Sequence, residues 1–185
     1  LQRAYLSKDY SDLTAPVNVE SLVFVEVDVA EGQQLDEARF VHDLARTDKR
    51  IKGMVVSMPL ERGARAVEAD IATYAKMPLA RGVRRLVERH LNEPGWCLQP
   101  SLIEAVKLLP KYGLTFDLCL LSPQFADALE FVRRCPDVTI VLDHIAKPRI
   151  REGIREPWWG QMKELARAPN VWCKMSGVTT EADHK

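Results

Sequence analysis

Charge gathers in this sequence at places that otherwise read as buried strands. Val19 to Val29 (VESLVFVEVDV) carries Glu26 and Asp28, Ala80 to Val87 (ARGVRRLV) carries Arg84 and Arg85, and Leu114 to Leu121 (LTFDLCLL) carries Asp117. Val138 to Leu142 runs straight into Asp143 and His144, and Val171 to Met175 (VWCKM) brings Lys174 and then Ser176. An unpaired ion inside a protein costs several kcal/mol or more, so such residues must pair with one another or with a ligand. His144 is the leading candidate for chemistry. It follows an apolar strand directly, and an imidazole there can serve as acid, base or metal ligand near neutral pH.

Each position also has a plainer reading. Glu26 and Asp28 alternate with Val25, Val27 and Val29 and could mark one polar side of a strand. Successive strand residues point to opposite faces, so only one of Arg84 and Arg85 can face an interior, and Arg84 is the expected one. Asp117, between Phe116 and Leu118, needs a cation such as Arg84. Lys174 could reach solvent along its apolar stem, Ser176-Gly177 could be a turn, and His144 could be a hydrogen-bonded rim residue. Asp143 could orient the imidazole or point into a helix layer. His42 falls on a helix, His90 in a loop and His184 near the terminus. Trp158 and Trp159 could lid a pocket or anchor packing.

The segments between these strands are helical in pattern. Gln34 to Thr47 shows an apolar stripe through Leu35, Ala38, Phe40, Val41, Leu44 and Ala45, and Arg65 to Lys76 repeats it through Ala66, Ala69, Ile71 and Tyr74. Ile51 to Met58 is a further strand, stopped by Pro59. Pro100 opens a helix reaching Tyr112, where Pro110 should end or kink the last turn, and Ser122-Pro123 starts one running to Arg134. A final helix spans Trp158 to Ala168. Strand and helix thus alternate about six times in units of roughly 25–30 residues, the rhythm of a parallel α/β sheet. Two closures compete, an open doubly wound sheet and a (β/α)8 barrel of about 250 residues. The first strand is not followed by a G-x-G-x-x-G turn, and no P-loop is present, which counts against nucleotide-binding open sheets.

The 185 residues allow one domain, 1–185, with a real core. Basic and acidic residues number 26 each, so no global field favours nucleic acid or an anionic membrane, and a small-molecule ligand is expected. Cys97, Cys119, Cys135 and Cys173 are widely spaced, without a C-x-x-C pair, and read as reduced core thiols. Without a membrane-length apolar run or signal-peptide pattern, the expected location is the cytoplasm. The absence of an initiating Met and the end soon after a strand suggest a chain truncated at both ends.

Taken in order, GVRRLV, LTFDLCL, VLDHIAKP and VWCKMSGVTTEAD resemble the amidohydrolase-related TIM-barrel hydrolases, in particular the group of L-fuconolactonase, L-rhamnonolactonase and 2-pyrone-4,6-dicarboxylate lactonase. The resemblance implies a (β/α)8 barrel that opens a lactone of carbohydrate or aromatic-acid catabolism by water attack at its mouth. It implies that His144 contacts substrate or metal, that Arg84, Asp117, Glu26 and Lys174 face the substrate, and that the cofactor is either one zinc-like divalent ion or none. The family's H-x-H pair on its first strand and Asp on its last are absent from this sequence. The first and last barrel strands are therefore expected outside it, and the isolated chain is expected to be inactive. Two alternatives stand beside lactone hydrolysis: an aromatic-acid decarboxylase on the same scaffold, and a non-catalytic ligand-binding barrel. Homo-oligomerisation stays open.

Overall fold

The structure, a computed structural model, describes residues 5–184. Its strands are β1 (Leu22–Val25), β2 (Ile51–Ser57), β3 (Ala80–Leu86), β4 (Thr115–Cys119), β5 (Ile140–Leu142) and β6 (Val171–Cys173). Helix α1 (Ser7–Leu13) precedes them, and α2 (Gln34–Thr47), α3 (Ala64–Ala75), α4 (Pro100–Val106), α5 (Phe125–Arg134) and α6 (Trp158–Leu165) fall between successive strands. All strand pairs are parallel, and the sheet order is β1-β2-β3-β4-β5-β6. A doubly wound sheet reverses its order at a switch point. Here each strand lies beside its predecessor, so the sheet is singly wound.

The sheet is also curled. Arg84 on β3 bonds both Glu26, just beyond β1, and Asp143, just beyond β5. In a flat sheet those two strands would lie about 19 Å apart, four spacings of about 4.8 Å, which one guanidinium cannot span. Curling brings the strand ends together around a concave inner face.

Register sorts the side chains. Val56, Val83, Phe116, Ile140 and Val171 are neighbours across β2 to β6, and the first four are buried against the helices. Helix α5 shows the fit: Phe125, Ala128, Leu129, Phe131 and Val132 are buried while Arg133 and Arg134 face out, and the Phe131 ring sits 5.3 Å from that of Phe116. One residue further along each strand, Ser57, Arg84, Asp117, Val141 and Trp172 form the inner row. Both outer strands carry exposed apolar residues, Val23 on β1 and Trp172 on β6. An apolar groove of about 360 Å³ runs between α1 and β1, touching Tyr10, Leu13, Val23 and Phe40.

Several details depart from the sequence reading. Strand β1 is shorter than Val19 to Val29, spanning only Leu22–Val25, and beyond it Asp28 turns the chain with φ 58°. The helix expected to reach Tyr112 stops at Val106, and a separate 3-10 turn, Leu109–Tyr112, surrounds Pro110. Cys97, Cys119 and Cys135 are buried free thiols, whereas Cys173 is exposed and is not a core residue. No helix among the described residues is long and apolar enough to cross a membrane.

Candidate active site

Five charged residues meet at the carboxyl ends of the strands. Arg84 donates from Nε to Glu26 Oε1 at 2.6 Å, from Nη2 to the Glu26 carbonyl at 2.6 Å, and from Nη1 to Asp143 Oδ2 at 3.2 Å. Lys174 reaches inward, not out to solvent: its ammonium lies 2.5 Å from Asp117 Oδ2 and 2.7 Å from Asp143 Oδ1. Asp143 thus stands between both cations, one on each carboxylate oxygen. Asp117 therefore takes Lys174, not Arg84, as its cation. Arg85 points the other way and pairs with Glu61 at 2.5 Å.

Glu26, Asp117 and Asp143 are each about 1% exposed, so breaking one of these pairs costs far more than breaking a surface one, because it strands a buried charge. Burial pushes the Asp117 carboxyl above its ordinary value, against the pull of Lys174. Arg84 and Lys174 both stand above theirs. Burial opposes this most strongly, but Glu26 and Asp143 overcome it for Arg84, as do Asp117 and Asp143 for Lys174. A guanidinium has five N–H donors and an ammonium three, so both cations keep donors for a ligand. Glu37 on α2 adds a further buried acid beside Glu26. It accepts the Val27 N–H at 3.0 Å, and burial raises its pKa.

His144 stands at the rim on unusual backbone. Residues 144–147 have φ of 52°, 48°, 59° and 45°, four consecutive non-glycine residues in the left-handed region. Each costs about 1–2 kcal/mol, and a β-branched residue such as Ile145 is a particular outlier there. Tertiary contacts hold the turn. The Trp158 indole N–H donates to the Ile145 carbonyl at 2.7 Å, the Ile145 N–H to the Lys174 carbonyl at 3.2 Å, and the Lys147 ammonium to Glu88. Gly177, with φ +71°, passes so close that a Cβ there would sit 2.9 Å from the Cβ of His144. Strain held this way at a polar residue is characteristic of functional sites. Trp158 is thus an anchor for this turn.

The His144 ring is fixed by Ser176, whose Oγ lies 2.9 Å from Nδ1. Asp143 does not orient the imidazole by a hydrogen bond; it joins Arg84 to Lys174. Both roles were missed or left open by sequence reasoning. The signal for Asp143 was its parity with Val141, which puts it on the inner face; Ser176 had no local signal beyond following a strand. Cys119 shares that face with Asp117, and burial pushes its thiol up to about 12. Its sulfur, a carboxylate oxygen of Asp143 and a ring nitrogen of His144 lie within 4.8 Å of one another. Sulfur, nitrogen and oxygen donors together suit zinc and similar ions, so these residues fit a divalent metal.

A singly wound parallel sheet with paired charges and an imidazole at its carboxyl edge defines an α/β protein whose ligand site lies at the strand ends, as in barrel enzymes. The amidohydrolase family profile matches residues 8–185, and the chain belongs to that family. It is 34% identical over 183 residues to an L-fucono-1,5-lactonase of Burkholderia ambifaria, covering 98% of this chain and 60% of that protein. An L-fucono-1,5-lactonase of Burkholderia multivorans is 27% identical over 184 residues, covering 96% and 61%. A crystal structure of a Burkholderia multivorans amidohydrolase with bound zinc matches with a TM-score of 0.84 at 25% identity, covering 98% of this chain and 62% of that one. The chain spans about three fifths of the length of these relatives.

Proposed function

We propose that the whole protein is a hydrolase that opens the ring of a sugar-acid lactone or a related carboxylated lactone, with its site at the strand ends described above. The observation that carries this reading is the convergence there of His144 with Arg84 and Lys174, two half-buried cations that keep unused donors while fully paired. Similarity to two L-fucono-1,5-lactonases supports the substrate class. In this reading the six strands form part of a (β/α)8 barrel, whose remaining strands would cover the exposed apolar edges at Val23 and Trp172.

The chemistry follows from charge development. Water attack on a lactone carbonyl builds negative charge on the carbonyl oxygen, and preorganised donors aimed at that oxygen lower the barrier. Arg84 and Lys174 are preorganised because Glu26, Asp117 and Asp143 fix their heads before substrate arrives. His144, with Nδ1 held by Ser176, offers Nε2 to the substrate as a polarising group or proton carrier. A divalent ion held by Asp143 and His144 would, when bound, supply Lewis-acid polarisation of the same carbonyl. We place the base that activates water outside this chain, so the isolated 185 residues are expected to be inactive.

The test is an assay of the whole protein against sugar-acid lactones, read as proton release, beside hydroxybenzoates, read as loss of carbon dioxide. Proton release well above spontaneous hydrolysis is expected. Decarboxylation without lactone opening would replace this reading with the decarboxylase one, and inertness towards both would favour a ligand-binding barrel.

A further inference from the structure

We infer that Glu37 on α2 is a positioning residue for Arg84, acting on the guanidinium through the Glu26–Val27 peptide. This role for Glu37 rests on the lactone-opening reading above, in which Arg84 donates to the carbonyl oxygen. The Glu26 N–H still donates to the Val55 carbonyl at 2.9 Å, in the manner of the β1–β2 ladder. At the next peptide, side chains replace the neighbouring strand. Its carbonyl, that of Glu26, accepts Arg84 Nη2 at 2.6 Å, and its N–H, that of Val27, donates to Glu37 Oε1 at 3.0 Å. The two bonds lie on opposite edges of one planar unit, so what fixes the N–H also fixes the carbonyl that Arg84 grips. A carboxylate on the N–H also polarises the carbonyl and strengthens its bond to the guanidinium.

A buried acid needs such a reason. Glu37 is 9% exposed and makes no ion pair among the described residues, and a buried carboxylate without one is costly. The favourable field at the start of a helix explains an acid in the first turn of α2, but Asp36 already takes that place facing outward, paired with Arg39 at 3.2 Å. Burial pushes the Glu37 pKa up most strongly; the Val27 bond and Arg84 pull it down, and the carboxylates of Glu26 and Asp28 push it up again. Its charge is thus resisted at this place, whereas its oxygen has a defined partner. The Glu26 carboxylate is fixed within its own turn, Oε2 accepting the Asp28 N–H at 2.7 Å while Oε1 holds Arg84 Nε. The peptide that completes the grip on Arg84 is fixed from α2.

Three substitutions in the whole protein separate reach from charge. Glu37→Gln keeps an acceptor at the same reach without the charge, Glu37→Asp keeps the charge one methylene too short, and Glu37→Met keeps neither. With lactone opening read as proton release, kcat should fall by about a hundredfold in Glu37→Asp and Glu37→Met, the scale on which a small misplacement of a reacting group costs rate. KM should change far less, and Glu37→Gln should restore most of the wild-type kcat. Crystal structures of the wild type, Glu37→Gln and Glu37→Asp should show the Arg84 guanidinium in one place in the first two and displaced in the third. Glu37→Asp matching the wild type in kcat, Glu37→Gln as impaired as Glu37→Met, or an unmoved guanidinium in Glu37→Asp would overturn the role. If the wild type opens no lactone, the hydrolase reading falls by itself, and the crystal structures alone decide whether Glu37 positions Arg84.

Discussion

On the outer face of the sheet, Val56, Val83, Phe116 and Ile140 form an apolar row sealed by helices, whereas one residue further along the same strands Ser57, Arg84, Asp117 and Val141 form a row with charge at its centre. The outer row is held by contacts that degrade gradually: a lost methylene costs its transfer energy and a small cavity. The inner row is all or nothing. Every buried carboxylate in it depends on one of two cations, so removing a cation costs the full penalty of a stranded charge. A scaffold built this way keeps its tolerance for change on one face and its chemistry on the other.

The comparison predicts a ranked set of outcomes for the whole protein. Arg84→Met should be the most damaging, since Glu26 loses its cation and Asp143 one of its two; a loss of about 3–5 kcal/mol in urea unfolding is expected. If the loss were below about 1 kcal/mol, the comparison would fail. Lys174→Met tests the same face by pH. The folded pKa of Lys174 is raised, so its stabilisation is complete below the ordinary lysine value of 10.5 and is lost as pH rises through the folded value. The melting-temperature gap between wild type and Lys174→Met should therefore be constant near neutrality and narrow above about pH 10.5.

Gly177→Ala should cost about 1–2 kcal/mol for its left-handed backbone. It should lower turnover more than that implies, because the new Cβ pushes on His144; the check is turnover beside calorimetry of one preparation. Ile140→Val, on the outer row, should cost only about 0.5–1.5 kcal/mol and leave turnover unchanged. An Ile140→Val effect exceeding that of Arg84→Met would reverse the ranking.

Much of this arrangement was legible in the residues. Alternation allowed only one of Arg84 and Arg85 to face inward, with Arg84 the expected one, and the βα rhythm required a parallel sheet. His144 stood out because nothing apolar explained it. What could not be read was long-range register. Asp117 meets Lys174 across 57 positions, and His144 meets Ser176 across 32, with no local pattern to announce either. The left-handed turn was hidden for another reason: His-Ile-Ala-Lys holds no glycine, and only tertiary contacts from Trp158, Glu88 and Gly177 make that backbone affordable. The same blindness to register left Cys119 looking like an ordinary core thiol.

The central claim is that His144 works on a lactone carbonyl at the edge of the charged row. Steady-state proton release from L-fucono-1,5-lactone by the whole protein, wild type against His144→Asn, tests it most directly. The account predicts a fall in kcat of about 10²–10⁴, the usual contribution of a general acid–base group, with unchanged unfolding. A His144→Asn enzyme that keeps wild-type kcat would contradict it.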